Sequence, residues 1–592
     1  MAKKSANFAR AFALIPLWLA LAACGDHASG DAGNSGAGGS GAGNSAGAAT
    51  AGRAPGGGGG NASNVGGSAG NGGVTAAHGG EGTGAAGGTM TGAGGSSGAT
   101  ESAGSASGGR ASTAGRGGTN AGGRNQTAGA PSSGGNGPTA GSGGASGAGG
   151  ASGTSSGGSA GAPMLGLPDG VTAMFPGPGA TNVCKDPSLR IAFAKPPAFG
   201  TIGTIQVLDG SGKVAASVDL SAATVTDTIG GQSYTMERRA YVDGNTAVVY
   251  LPSKGLAYGQ TYSVTVPAGA IVPNGGGSFS LSGSAWRFTT AAAAPSSLAN
   301  VSVALDGSGA FCSLQGALDA LPSSGSTAST ITLATGNYHE VVYFKNKSNL
   351  TIQGADRAGT VILGTNNNNM NPSTKTRALV GADGAQGLVI ENLTIENLTP
   401  QGGSQAEALR LESCTHCTVR DADIESLQDT LLWSGTLYAK NCYVAGNVDF
   451  IWGTGAAYFD QCEIKTVGKA GYVVQARNAT SGYGYVFVDS KITADTGITG
   501  AVLARIDVSA YPGSHVAYVN CAIGPHISRA GWLVTGGSPS SSLRFWEYQS
   551  TDLSGNPLDV SGRLAGSTQI SDAEAATMRD PTAVLGGWQP PN

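Results

Sequence analysis

The chain has 592 residues, 103 of them glycine, and a formal net charge of −4. Most of the glycine lies in the first quarter, so the chain is a set of segments of unlike composition and not one globular unit. The charge balance gives no reason to expect nucleic acid as a partner, and it leaves no broad basic face for an acidic polymer.

The first 24 residues read as an export signal. Lys3, Lys4 and Arg10 make a positive start, and "AFALIPLWLALAA" is an apolar core too short for a comfortable membrane span. It ends in Leu21-Ala22-Ala23-Cys24, which resembles the lipobox of bacterial lipoproteins and implies cleavage before Cys24 and acylation of its thiol. From Gly25 to Pro163 there is no Leu, Ile, Phe, Trp or Tyr. Such a Gly/Ala/Ser/Thr tract buries too little apolar surface to offset chain entropy, so residues 25–163 are expected to be a disordered tether. As a flexible coil it would span roughly 60–70 Å.

Residues 164–291 carry short strand-like runs, "LRIAFA", "IGTIQVLD", "TAVVYLP", "QTYSVTVPAG" and "WRFTT", separated by Gly/Pro/Ser turns. That rhythm predicts a β-sandwich. Its opening "PGPGATNVCKDPSLRIAF" and closing "AWRFTT" resemble bacterial Ig-like domains beside extracellular enzymes, which implies a spacer or, less simply, a sugar-binding module. "AAAAPSS" (291–297) reads as the linker to a second folded region.

Residues 298–592 contain a short repeat: a polar residue, a small or apolar one, any residue, then Ile or Val. It occurs as "NLTI" (349–352), "NLTI" (392–395), "DADI" (421–424), "NCYV" (441–444), "QCEI" (461–464), "DSKI" (489–492) and "NCAI" (520–523). The copies end 43, 29, 20, 20, 28 and 31 residues apart, the first gap being about two turns of the shorter period. Irregular spacing around a strand-sized motif predicts a parallel β-helix, whose coils tolerate loop insertions. The second and fourth slots should face the interior, stacking Leu350, Leu393, Ala422, Cys442, Cys462, Ser490 and Cys521. Cys442 and Cys462, one coil apart, are either a disulfide or buried free thiols. Apart from Cys24, seven cysteines remain, so at least one is unpaired. "CTHC" (414–417) lacks a second Cys pair and does not make a zinc site, and no metal is expected. Near the end, "SDAE" (571–574) reads as a helical capping box.

The same 20-residue step separates Asp429, in "LQDTLLW", from Asp449, in "GNVDFIWG". On adjacent coils, two carboxylates approach within about 5 Å and do not both ionise comfortably, so one becomes a proton donor and the other a base or nucleophile. A structural role for each Asp stands beside that reading. The segments "GNYHE" (336–340), "QAEALR" (405–410), "LQDTL" (427–431), "GNVDFIWG" (446–453) and "VVQAR" (473–477) occur in the order of the pectin methylesterase motifs. "DGSGAFCSLQGALDALP" (306–322) resembles the start of that domain and "FWEY" (545–548) a segment near its end.

The resemblance to the pectin methylesterase family implies an all-β right-handed parallel β-helix that hydrolyses methyl esters of galacturonate without a cofactor. Carried over by motif, Asp449 is the nucleophile, Asp429 the acid and then the base, and Gln405 and Gln428 the oxyanion donors. Arg505, in "LARID" (503–507), stands where the family places an arginine against the nucleophile, in a segment usually reading Leu-Gly-Arg-Pro-Trp. Asp507 replaces the sugar-stacking tryptophan, and Trp452 either supplies apolar surface instead or packs. Glu407 shares a face with Gln405, bordering the groove or facing solvent. Arg477 meets a galacturonate carboxylate or pairs with a nearby acid. The implied partner is methylesterified homogalacturonan, bound by a monomer that meets a membrane only through a lipid at Cys24. Another ester or thioester hydrolase on this scaffold, or a noncatalytic carbohydrate-binding surface protein, is the alternative.

Overall fold

The computed structural model describes residues 166–323 and 327–591. The export signal, the Cys24 lipidation site and the tether assigned to residues 25–163 lie outside the described residues.

The strand-like runs of the first folded region become two packed antiparallel sheets. One orders the strands Val171–Phe175, Ser188–Phe193, Thr246–Tyr250 and Ala240–Asp243; the other orders Ala180–Val183, Arg287–Thr290, Thr261–Thr265, Thr204–Leu208 and Val214–Asp219, with its first pair parallel. Alternation does the sorting: in Thr204–Leu208 only Ile205 and Val207 are fully inside. Trp286 fills the centre and donates its indole N–H to the Pro176 carbonyl at 2.7 Å, so the large ring is buried without an orphaned donor. A separate hairpin, Thr224–Ile229 with Gln232–Glu237, turns at Gly230 and Gly231. Both glycines have positive φ (54° and 81°), the geometry a two-residue hairpin turn demands.

From residue 300 onward the named strands pair only in parallel, in a 17-stranded and an 8-stranded sheet wound around one apolar core, a parallel β-helix. The repeat has a backbone cause. Its first slot, Asn349, Asn392, Asp421, Asn441, Gln461, Asp489 and Asn520, is left-handed in every copy, with φ between 49° and 55°. That corner favours Asn and Asp, whose short polar side chains tolerate it. The second and fourth slots are buried as expected, Ile395, Ile424, Val444, Ile464, Ile492 and Ile523 pairing coil to coil in the 8-stranded sheet. The copy at 349–352 departs from that stack. Its strand, Leu350–Gly354, lies in the 17-stranded sheet, with Ile352 opposite Ile331 and Ile390, and Ile362 takes the place facing Ile395. The long first gap is thus a change of face and not two turns of one ladder.

Cys442, Cys462 and Cys521 are free and buried, not bridged. Each thiol points at a carbonyl of the preceding coil, Cys442 Sγ to Val419 O at 3.3 Å and Cys521 Sγ to Phe487 O at 3.4 Å, acting as a small filler. The disulfides are elsewhere: Cys414–Cys417, within the strand Leu409–Arg420, and Cys184–Cys312, which joins the sandwich to the β-helix. Aromatic rings stack along the core, Phe459 on Phe487 at 4.5 Å and Phe487 on Tyr518 at 4.7 Å. The capping box at Ser571 and Glu574 starts the helix Asp572–Met578.

The sandwich is more than a bead on a linker. Beside the Cys184–Cys312 bridge, Asp186 accepts from the backbone N–H groups of Cys312 (3.1 Å) and Ser313 (2.9 Å), at the start of the helix Leu314–Ala320. Glu340 accepts from the next two, Leu314 (2.9 Å) and Gln315 (3.0 Å). Tyr241 stacks on His339 at 3.9 Å, and Ile229, Tyr234 and Met236 of the hairpin bury against Tyr343.

Candidate active site

Four successive strands of the 17-stranded sheet, Leu431–Lys440, Val448–Gly453, Tyr472–Ala476 and Val502–Asp507, carry the site. Leu432, Trp452 and Gln475 are in register across the first three, and Val474 faces Ala504, which sets Arg505 beside Gln475. Asp429 and Asp449 sit at equivalent points of adjacent coils: Gln428 bridges Val448, and Asp429 N donates to Val448 O at 3.0 Å.

Asp449 interrupts an apolar run because the backbone turns it out of that run. It has φ 46°, and the pairing register slips between Val448 and Ile451, while Phe450 and Ile451 go fully inside. Asp429 is also left-handed, at φ 64°. Bulges and left-handed non-glycine residues re-aim side chains at a local conformational cost, and both mark functional sites.

The two carboxyls meet different surroundings. Asp449 accepts Arg505 Nε at 3.2 Å on one oxygen, and Arg505 Nη2 and Gln475 Nε2 (3.3 Å) on the other. Burial pushes its pKa up, and Arg505 opposes this by charge and hydrogen bonds. Asp429 accepts Arg377 Nη2 at 2.9 Å. Arg377 is itself committed to Glu407 through Nε (3.0 and 2.9 Å) and Nη2 (2.7 Å). Burial holds Asp429 well above the usual carboxylate range, and the Glu407 charge adds to this; Arg377 pulls back, Asp449 raises and Arg477 lowers. The arrangement therefore favours a carboxylate at Asp449 and a proton at Asp429.

Glu407 requires a correction. It is 0% exposed, so it neither borders the groove nor faces solvent: it lies just before the strand Leu409–Arg420, against the buried Arg377 guanidinium. Arg477 pairs with no acid among the described residues. Its Nε and Nη2 donate to Gln475 Oε1 at 3.0 and 2.6 Å, and its guanidinium lies over Trp452 at 4.6 Å and Tyr511 at 5.8 Å. Trp452 is only 7% exposed, covered also by Arg377 at 5.7 Å, which makes it a packing surface for guanidinium groups. Asp507 is exposed and accepts from Ser509 N at 2.9 Å and Oγ at 2.6 Å.

Gln405 and Gln428 are half-buried on neighbouring coils, linked by Ala406 N donating to Gln428 O at 3.1 Å. Their side-chain amides make no hydrogen bond among the described residues, so the donors are unspent. Sequence reasoning missed Arg377 and Gln475. Gln475 was within reach, inside "VVQAR" and two positions before Arg477. Arg377 stands in an irregular stretch with no periodicity to flag it. Among the described residues no group of His, Cys, Asp and Glu is arranged to hold a metal ion.

Comparison with known proteins assigns both folded regions. Residues 168–290 match the bacterial Ig-like domain, and residues 300–582 match the pectinesterase family. The chain is similar to Pectinesterase 31 of Arabidopsis thaliana, 29% identical over 46% of this chain and 89% of that protein. It is similar also to Probable pectinesterase 56 of Arabidopsis thaliana, 33% identical over 40% of this chain and 84% of that one. Among solved structures, a pectin methylesterase from carrot is 27% identical, covering 48% of this chain and 93% of that one with a TM-score of 0.44. With ordered motifs and relatives aligned over most of their own length, the chain belongs to the pectinesterase family.

Proposed function

We propose that this protein hydrolyses the methyl esters of galacturonate residues in pectin, releasing methanol, with Asp449 as nucleophile and Asp429 as acid and base. The observation that carries the assignment is the pair of carboxyls on adjacent coils with opposed partners: Asp449 held by Arg505, Asp429 held by an arginine already neutralised by Glu407.

In the first half-reaction an Asp449 oxygen attacks the ester carbonyl carbon, and the carbonyl π electrons move onto its oxygen. The free amides of Gln405 and Gln428 are the donors for that oxyanion, useful because they are unspent before charge develops. Collapse breaks the bond to methoxide, which takes the Asp429 proton and leaves as methanol. An acyl anhydride now joins Asp449 to the sugar, and Asp429 is a carboxylate facing Arg377. Asp429 then takes a proton from water as the water attacks the acyl carbon, which frees the galacturonate and restores both carboxyls. The half-buried Arg477 guanidinium is a partner for a neighbouring unesterified galacturonate. No cofactor enters these steps.

Export with a lipid on Cys24 belongs to the same proposal and rests on the sequence. No helix among the described residues is long and apolar enough to cross a membrane. Methanol release from highly methylated pectin by the full chain tests the activity. Asp449→Ala is expected to lower the rate by about 10⁴-fold or more with an unchanged circular dichroism spectrum. Unchanged turnover in that variant would remove Asp449 from the chemistry.

A further inference from the structure

Arg377 reaches Asp429 from a loop, residues 365–378, that contains no strand of its own. Its anchor is a chain of buried amides. Asn366, 1% exposed, donates through Nδ2 to the carbonyls of Thr376 (2.9 Å) and Ala378 (2.7 Å), the two residues flanking Arg377. Asn397 Nδ2 ties Asn366 O (2.7 Å) to Glu407 O (3.0 Å), locking the loop to the segment, just before the strand Leu409–Arg420, that supplies the partner carboxylate. The Asn366 side-chain oxygen is in turn held by Asn371 Nδ2 at 2.7 Å.

Asn371 is where the loop meets the other domain. Its Oδ1 accepts from Thr235 N at 2.9 Å and its Nδ2 donates to Thr235 O at 2.8 Å. Thr235 lies on the Gln232–Glu237 strand of the sandwich hairpin, between Tyr234 and Met236, which are buried against Tyr343. The side chain of Glu237, two residues on, hydrogen-bonds Thr365 at the other end of the loop. An amide that closes a two-point pair with an edge-strand backbone continues the sheet by one unit. It leaves its partner little freedom.

We infer that the hairpin of the Ig-like domain is part of the positioning apparatus of the esterase site, holding Arg377 against Asp429 through Thr235, Asn371 and Asn366. The inference rests on Asp429 being the acid of the proposed reaction. Thr235, Asn371 and Asn366 touch neither Asp429 nor Asp449 and act only through Arg377. The charged groups that face Asp429 are Arg377, Glu407, Asp449 and Arg477; of these only Arg377 is carried by the loop that the hairpin holds. When Arg377 loosens, Asp429 loses its nearest positive charge while Glu407 and Asp449 remain, so its proton is held to higher pH.

The test uses two full-length variants, one on each side of the contact. Asn371→Ala removes the side chain, and Thr235→Pro removes the N–H that Asn371 accepts from, at an edge position where proline is tolerated. Both are expected to move the alkaline limb of the kcat/KM profile for methanol release upward by about 0.5–1 pH unit. In both, kcat should fall roughly tenfold with KM within twofold. A structural contact alone would lower Tm and leave the pH profile at its wild-type position, and that result in Asn371→Ala overturns the inference. Should Thr235→Pro fail to fold, Asn371→Ala decides by itself; should Asn371→Ala also fail, Asn371→Asp, which keeps the acceptor and loses the donor, is read by the same limb. A wild-type chain that releases no methanol refutes the esterase assignment, whereas an active wild type with unmoved variants refutes only the role of the hairpin.

Discussion

Glu407 is the residue on which the proposed division of labour between Asp429 and Asp449 turns. It is fully buried and takes most of the hydrogen-bonding capacity of Arg377, which leaves that guanidinium a weak electrostatic partner for Asp429. Asp449, by contrast, has Arg505 to itself among the described acids. The expected pH profile is a bell: activity rises as Asp449 ionises and falls as Asp429, with the higher pKa, loses its proton. Glu407→Gln puts the whole Arg377 charge on Asp429 and favours its carboxylate, so the alkaline limb is expected to move down by about one pH unit while the acidic limb stays. Stopped-time methanol assays across pH check this; an upward or absent shift would contradict the electrostatic account. Asp429, Asp449 and Arg505 were legible in the sequence because each sits in a motif of fixed length. The burial of Glu407 was not legible, because Arg377 comes from 30 residues away along a loop that no period marks.

At the scale of the repeating coil, the left-handed corner explains why the repeat is visible in sequence at all. Ile and Val in the fourth slot report only burial, which many folds share. The polar first slot reports backbone geometry, and it is that combination which distinguishes a stacked coil from a sandwich strand. The copy at 349–352 shows the limit: the corner recurs on more than one face of the coil, so the motif identifies a bend without saying which sheet comes after it. Asn441 is an exposed test position, with φ 49° and a side chain donating to Asp421 Oδ1 at 2.6 Å on the coil before. Asn441→Ala is expected to cost about 1 kcal/mol in reversible denaturation, since alanine lacks both the ladder bond and the tolerance of that φ. Asn441→Gly should cost less, because glycine keeps the backbone geometry. Equal losses in the two would mean that the side-chain bond, not the corner, carries the effect.

For the whole molecule, the junction between sandwich and β-helix is a polar seam, and its charge state depends on pH. Glu340, its carboxyl set against the start of the helix Leu314–Ala320, has its pKa pushed up to about 7 by burial, against the hydrogen bonds from Gln315 and Leu314. A carboxyl raised on folding binds more protons in the native state, so its contribution is fully present below the unfolded pKa and is lost as pH rises from about 4.5 to 7. His339, pushed down to about 4 by burial against Tyr241, works the other way, its contribution being lost as pH falls from 6.5 toward 4. The clean measurement is therefore a difference: the Tm of Glu340→Gln minus that of wild type should rise between pH 5 and 7.5. A flat difference would mean that Glu340 stays protonated or stays charged across the range. Two domains and their order were legible from composition and strand rhythm. Their fusion was not, because two cysteines 128 residues apart, one in each domain, carry no local signal of pairing.

The Cys184–Cys312 bridge also sets how the chain carries load. It closes a covalent loop containing the sandwich strands from Ser188 to Thr290 and the segment 291–297. When the chain is pulled between its N-terminal end and the β-helix, tension passes through the two sulfurs and bypasses those strands. An oxidised chain held at its ends in a force experiment should lengthen without the strands inside that loop extending, although Val171–Phe175 and Ala180–Val183 lie outside it and bear the load, and a reducing agent should release the hidden length.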